Sequence, residues 1–193
     1  MIWKDYSKLR GTHSILSASQ HAWLNDTKDS ILVRYQNDRA RKFGTYLHDQ
    51  AAKDILFGEK TGIMRPSNGR TYETYVNDAI KYRMRPEEVL YYGPYAYVTA
   101  DTLCFRKVKG KDLLRIHDLK TGKVPADIVQ LEVYAAYFCL MYGKKPSDIN
   151  IELRIYQNNE IFVKNPEVND IVPIMDKIVF LSKVLESSNL EEL

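Results

Sequence analysis

Only two of the 193 residues are cysteine. Both stand in apolar surroundings, Cys104 in DTLCFRK and Cys139 in AAYFCLMY, not in the paired spacing of a zinc ribbon or an iron–sulfur ligand set. Such a chain suits a reducing cytoplasm. No apolar run approaches the roughly 20 residues that cross a bilayer, and the opening MIWKDYSKLRG lacks the apolar core of a signal peptide, so a soluble protein without a membrane partner is expected. Glycine and proline are few, nine and seven, and are scattered as turn markers instead of gathering into a linker. With no repeat and no low-complexity segment, the expectation is one domain over residues 1–193, its last residues, about 187–193, fraying.

Charge of either sign is also modest. Lys and Arg number 28 against 25 Asp and Glu. Three of the acids, Glu186, Glu191 and Glu192, crowd the last eight residues, which leaves the body an excess of six positive charges. That is compatible with a groove neutralising a few phosphates and does not demand one. Arg34, Arg39, Arg41 and Lys42 form one basic cluster and Lys107, Lys109 and Lys111 another; a solvated face explains either as well as a phosphate contact does. GEKTG, Gly58 to Gly62, lacks the order of a nucleotide-binding loop, and no apolar strand precedes it.

What is present is a change of period. Ser19 as an N-cap, the stretch Asp38–Phe57 with Gly58 as its stop, and Tyr72–Met84 make a helical first third. Tyr95–Phe105 and Leu113–Lys120, joined by KVKGKD, read as an antiparallel hairpin. Pro125 opens an apolar helix, ADIVQLEVYAAYFCLMYG, that Gly143 ends. Two short strands, IELRIYQ and EIFVK, turn around Asn158 and Asn159, and an amphipathic helix, Asn169–Leu185, follows. The tyrosines of VLYYGPYAYV are as suited to packing as to stacking on unpaired bases.

Phosphodiester hydrolysis needs a hard cation held by carboxylates, a water activated by it, and a positive group beside the reacting atoms. LLRIHDLKTGK carries these types: strand alternation puts Asp118 and Lys120 on one face and turns His117 to the other. In the preceding strand Asp101 is the sole acid of an apolar and aromatic run, where an unpaired charge would be costly and a metal is an economical partner. Alone, the Asp-Leu-Lys tripeptide is equally a surface strand leading into a Thr-Gly turn. Gly44 with His48, and Gln130 with Tyr134, stand four apart and so stack on helix faces; each pair is as ordinary in a helix core as at a site.

In order, Gly44-x-x-x-His48, Asp101, Asp118-x-Lys120-Thr121-Gly122 and Gln130-x-x-x-Tyr134 resemble the motif set of RecB-like nucleases of the PD-(D/E)XK superfamily, over roughly Leu16–Tyr137. HSILSAS, with Ser17 and Ser19, resembles the family's amino-terminal Leu-Ser-x-Ser segment. The resemblance implies an α/β fold with a restriction-endonuclease-like core, a mixed central sheet flanked by helices. It implies Mg²⁺ or Mn²⁺ held by Asp101, Asp118, the Leu119 carbonyl and His48, with Lys120 orienting water or stabilising charge. Gln130 and Tyr134 would border the DNA channel and keep Lys120 in position. The implied activity is hydrolysis of DNA ends or single strands in recombination, repair or phage DNA processing, in a bacterium or phage-infected cell, alongside a recombination or replication protein partner. A non-catalytic binding or assembly subunit and a restriction-type endonuclease are the alternatives. Two features depart from the family: the four cysteines of its iron–sulfur members are missing, and DQAAKD after His48 lacks the usual Glu.

Overall fold

The computed structural model describes residues 7–9, 14–60 and 69–188. His13 of the HSILSAS segment, Gly62 of GEKTG and the tail 189–193 lie outside them. The chain groups into two compact units, Met1–Thr45 and Tyr46–Leu193.

The first unit holds 3₁₀ turns at Ser7–Leu9 and Ala18–Asn25 and the opening of helix α1, Lys28–Phe57. Ser19 lies within the second turn and is not its cap; Ser17 holds that position without a side-chain capping bond. The long helix is capped instead by a reciprocal pair. Ser30 N–H donates to Thr27 Oγ1 at 3.2 Å, and Thr27 N–H donates to Ser30 Oγ at 2.7 Å. This is a capping box with Ser in the usual place of Glu, and it starts α1 well before Asp38. Much of the basic cluster is engaged locally: Arg34 pairs with Asp26, and Arg41 and Lys42 both pair with Asp38.

In the second unit α1 ends before Gly58, which takes the left-handed conformation at φ 70°. Helix α2, Gly69–Tyr82, leads into strands β1, Arg85–Gly93, β2, Ala96–Val108, and β3, Lys111–Leu119. Helix α3, Val129–Tyr142, then crosses to β4, Asn150–Gln157, followed by β5, Glu160–Lys164, and helix α4, Val168–Ser188. The strands form one mixed sheet in the order β1-β2-β3-β4-β5. Only the β3–β4 pair is parallel, as a helical crossover requires.

Strand alternation divides the core. Leu103, Leu114, Ile116, Leu153 and Ile155 pack with Leu131, Ala135 and Phe138 of α3. Cys104, Leu119 and Tyr156 turn the other way, onto Leu47, Ala51 and Ile55 of α1 and Tyr75, Val76 and Ala79 of α2. Burying each such large apolar side chain stabilises the fold by roughly 1.5–3 kcal/mol. Pro125 does not open α3. The Ala126 N–H donates to Gln157 Oε1 at 3.0 Å, and Gln157 Nε2 donates to the carbonyls of Gly122 and Val124. The β4–β5 turn thereby holds this stretch as a loop, and the helix starts at Val129. Among the described residues no helix is long and apolar enough to cross a membrane.

Candidate active site

The two acids singled out in the sequence sit where the β2–β3 ladder ends. Pairing stops at Thr102 with His117, so Asp101 and Asp118 occupy what would be its next rung. The β1–β2 ladder is interrupted at the same level: Pro86 pairs with Thr102 and Glu88 with Ala100, leaving Glu87 and Asp101 between them unpaired. Glu87 has φ 49°. Ala96, Val98 and Ala100 share the core cluster of Leu103 and Phe105, so the alternation of β2 changes phase across Asp101. This paired irregularity acts like a β-bulge, re-aiming a side chain beside a site.

Freed from the ladder, the Asp101 carboxylate serves two donors at once. Its Oδ2 accepts from the Leu119 N–H at 3.1 Å and lies 3.1 Å from Nδ1 of His48, which reaches it from α1. The Asp101 carboxylate raises the His48 pKa above the ordinary histidine value, against the opposing effect of burial.

Asp118 is fully buried. Lys120 Nζ donates to its Oδ1 at 3.2 Å and lies 2.9 Å from Oδ2. The closer oxygen is off the hydrogen-bond direction, so Oδ2 is a buried carboxylate oxygen that receives no hydrogen bond. Desolvation, and then the charge of Asp101, push the Asp118 pKa up to about 6 in spite of Lys120. Lys120 Nζ also donates to Gln130 Oε1 at 2.8 Å, and Gln130 Nε2 donates to the Tyr134 hydroxyl oxygen at 2.6 Å. A continuous chain of contacts thus runs from Asp118 through Lys120 and Gln130 to Tyr134, from the end of β3 to the first turns of α3.

The structure therefore brings together His48, Asp101, Asp118, Leu119, Lys120, Gln130 and Tyr134. His117 lies on the opposite face, as alternation requires. Its Nδ1 is 3.2 Å from the Tyr156 hydroxyl, whose single proton goes to Asp78 at 2.8 Å. Nδ1 must then carry the histidine proton, and the bare Nε2 is buried with no hydrogen-bond partner among the described residues. Burial, and then Arg154 and Arg115, hold its pKa well below the ordinary value.

Glu87 is an acid the sequence did not single out. Although it is exposed, partial desolvation and then the field of Asp101 raise its pKa, and with Asp49 it lines a hollow of about 490 Å³. No sequence signal marks it, because Pro86 argues against a strand there. Farther along the same hairpin Tyr91 and Tyr97, both half exposed, stack on each other with ring centroids 6.4 Å apart, a cross-strand aromatic pair.

Among the described residues no three His, Cys, Asp or Glu side chains are disposed to enclose a metal ion; His48 and Asp101 bond to each other, and Asp118 bonds to Lys120. No protein-family model matches the chain. No curated protein matches it either. A solved structure, "Crystal structure of SSO0001", aligns with 71% of this chain and 85% of its own at 9% identity and a TM-score of 0.31, a likeness that bears on neither fold nor function.

Proposed function

We propose that the protein is a Mg²⁺- or Mn²⁺-dependent DNA nuclease with a PD-(D/E)XK core of the RecB-like kind, hydrolysing phosphodiester bonds at DNA ends or in single strands. The observation that carries this reading is the placement of two carboxylates on adjacent strands at the end of their ladder, with a lysine two residues beyond the second bonded to it. An ordinary surface Asp-x-Lys pair would be solvated; here Asp118 is fully buried, at a desolvation cost a stable fold has no need to carry.

The donor types are those a hard divalent cation takes, although the side chains are turned to one another and would have to open toward it. Asp118 offers a buried carboxylate whose only cationic neighbour is the movable ammonium of Lys120, 2.9 Å from Oδ2, and Asp101 stands beside it as a second hard ligand. The Leu119 carbonyl and His48 would complete the set, His48 by giving up the proton that Asp101 now favours. When bound, such a cation supplies positive charge to a phosphate oxygen and acidifies a water.

The chain's own groups do the rest. Lys120 holds a compact ammonium at the mouth of the site, and Gln130, braced by Tyr134, fixes its direction. It can therefore orient the attacking water or stabilise developing charge without paying for rearrangement. The test is digestion of linear and circular, single- and double-stranded DNA with Mg²⁺ or Mn²⁺ and with EDTA. Lys120→Ala is expected to lower single-turnover cleavage about 10²–10³-fold, the cost of removing one preorganised charge-stabilising group, with DNA binding retained at fixed salt. Lys120→Arg should rescue poorly, since a planar guanidinium cannot replace the ammonium. Cleavage by Lys120→Ala at the wild-type rate would refute the assignment.

A further inference from the structure

A hollow of about 350 Å³ opens where β1 begins and β2 runs on past it. Arg85, the first residue of β1, pairs with Leu103, so the β2 residues beyond Leu103 have β3 on one side only. Three cations line the notch, Arg83, Arg85 and Lys144, against the single acid Glu88, and Phe105 and Tyr142 supply aromatic walls. Arg85 and Glu88 also line the hollow that contains Glu87 and Asp49. The two hollows therefore adjoin along β1. The hollow nearer Asp101 is mixed, with Asp49, Glu87 and Glu88 against Lys53 and Arg85; the notch is predominantly basic.

Arg83 is the informative member. It follows the last residue of α2 with φ 53°. Its N–H donates to the Ile80 carbonyl at 3.0 Å, and the Met84 N–H donates to Ala79 at 2.9 Å. This is the Schellman ending, whose left-handed position is usually glycine because an L side chain is strained there. An arginine at that position departs from the local rule, and among the described residues no side-chain hydrogen bond or ion pair offsets the departure. It is exposed and, among the described residues, forms no salt bridge. Arg85 pairs with Glu88 but remains 72% exposed, and Lys144 is only loosely paired, 3.8 Å from Asp112, while lying over the Phe105 ring.

We propose that this notch is a phosphate-binding subsite for the nucleic-acid strand leading away from the candidate cleavage site, an inference that rests on the nuclease reading. Arg83 and Lys144 hold successive backbone phosphates, and the exposed ring of Tyr142 offers a base a stacking surface. The neighbouring hollow, where acids and bases are mixed, offers a phosphate no comparable excess of positive charge.

The experiment measures binding of a fluorescein-labelled single-stranded DNA oligonucleotide in EDTA between 50 and 200 mM salt, for wild type, Arg83→Gly and Lys144→Gln, together with thermal melts of each. Each substitution is expected to reduce the slope of log K against log salt by about 0.7, the share of one single-strand phosphate contact. Arg83→Gly should melt no lower than wild type, since glycine relieves the left-handed strain. A lower melt with an unchanged slope would make Arg83 a packing residue and overturn the proposal; should Arg83→Gly not fold, Lys144→Gln decides in the same way. Unchanged slopes in a protein that binds and cleaves DNA refute the subsite alone, and a wild type that neither binds nor cleaves refutes the nuclease reading with it.

Discussion

At the scale of single residues, Asp118 couples the candidate chemistry to stability. A carboxyl whose folded pKa lies above its unfolded value makes no unfavourable contribution while both states are protonated, and a growing one as the unfolded chain ionises first. With the pKa raised from 3.8 to about 6, stability without metal falls as the pH climbs through that interval and stays low above it. His48 slopes the same way: its folded pKa is raised, so its stabilising pair with Asp101 is fully present at low pH and is lost as the pH rises through that folded value. Asp118→Asn removes the buried charge but keeps its shape. In EDTA at pH 7.5 the variant is expected to be more stable than wild type by on the order of 2–3 kcal/mol, with the gap shrinking toward pH 4.5, while cleavage is lost. Denaturant unfolding at the two pH values checks this, and a variant less stable than wild type at pH 7.5 would show that the Lys120 pair outweighs the desolvation.

At the scale of elements, what can be read from sequence follows from what each element depends on. β5 and the apolar length of α3 are local: a short apolar β-branched and aromatic run and an uninterrupted apolar stretch define them, and Gly143 marks the end of α3 because its left-handed φ of 60° turns the chain so that the Lys144 N–H reaches the Cys139 carbonyl at 2.9 Å. Gly143→Ala should therefore cost about 1 kcal/mol, measured by thermal unfolding; a neutral result would mean that α3 ends for another reason. The start of α3 is not local, being set by Gln157 at the far end of β4. Nor is β1. Pro86 breaks its pattern, and the left-handed Glu87 is tolerated because the strand beside it breaks step at the same level. The hairpin expected from Tyr95 to Lys120 forms as the antiparallel β2–β3 pair, and β1 extends it to a three-stranded meander. The residues His48, Asp101, Asp118, Lys120, Gln130 and Tyr134 were legible through the order in which they resemble a known motif set; period alone put Asp118 with Lys120, and Gln130 with Tyr134, on one face, and Asp101 stood out as the sole acid of an apolar run. Glu87 and Arg83 were not, since their importance lies in backbone conformations and neighbours that no local pattern encodes.

At the scale of the molecule, the mixed sheet is what allows the site to form. An antiparallel pair brings Asp101 level with Asp118, while the parallel β3–β4 pair, closed by the crossover through α3, returns Gln130 and Tyr134 over the end of β3. The Lys120 N–H bonded to the Tyr156 carbonyl at 2.9 Å holds that end of the chain against β4. A group that gathers contributions from α1, β2, β3 and α3 exists only in the folded chain, so a ligand for it must stabilise the whole unit by mass action. At a concentration 100 times its dissociation constant, a cation binding only the folded state adds about 2.7 kcal/mol. For a domain of this size each kcal/mol raises Tm by roughly 2–4 °C, so saturating Mn²⁺ or Mg²⁺ should raise Tm by about 5–11 °C over EDTA. Asp118→Asn should abolish most of that rise although it melts higher in EDTA, and the rise should shrink at lower pH as protons compete for His48 and the carboxylates. Differential scanning fluorimetry with Mg²⁺, Mn²⁺ and EDTA at pH 5.5 and 7.5 makes the comparison. Equal shifts in wild type and Asp118→Asn would place the cation elsewhere, and no shift in either would remove the metal from the proposed chemistry.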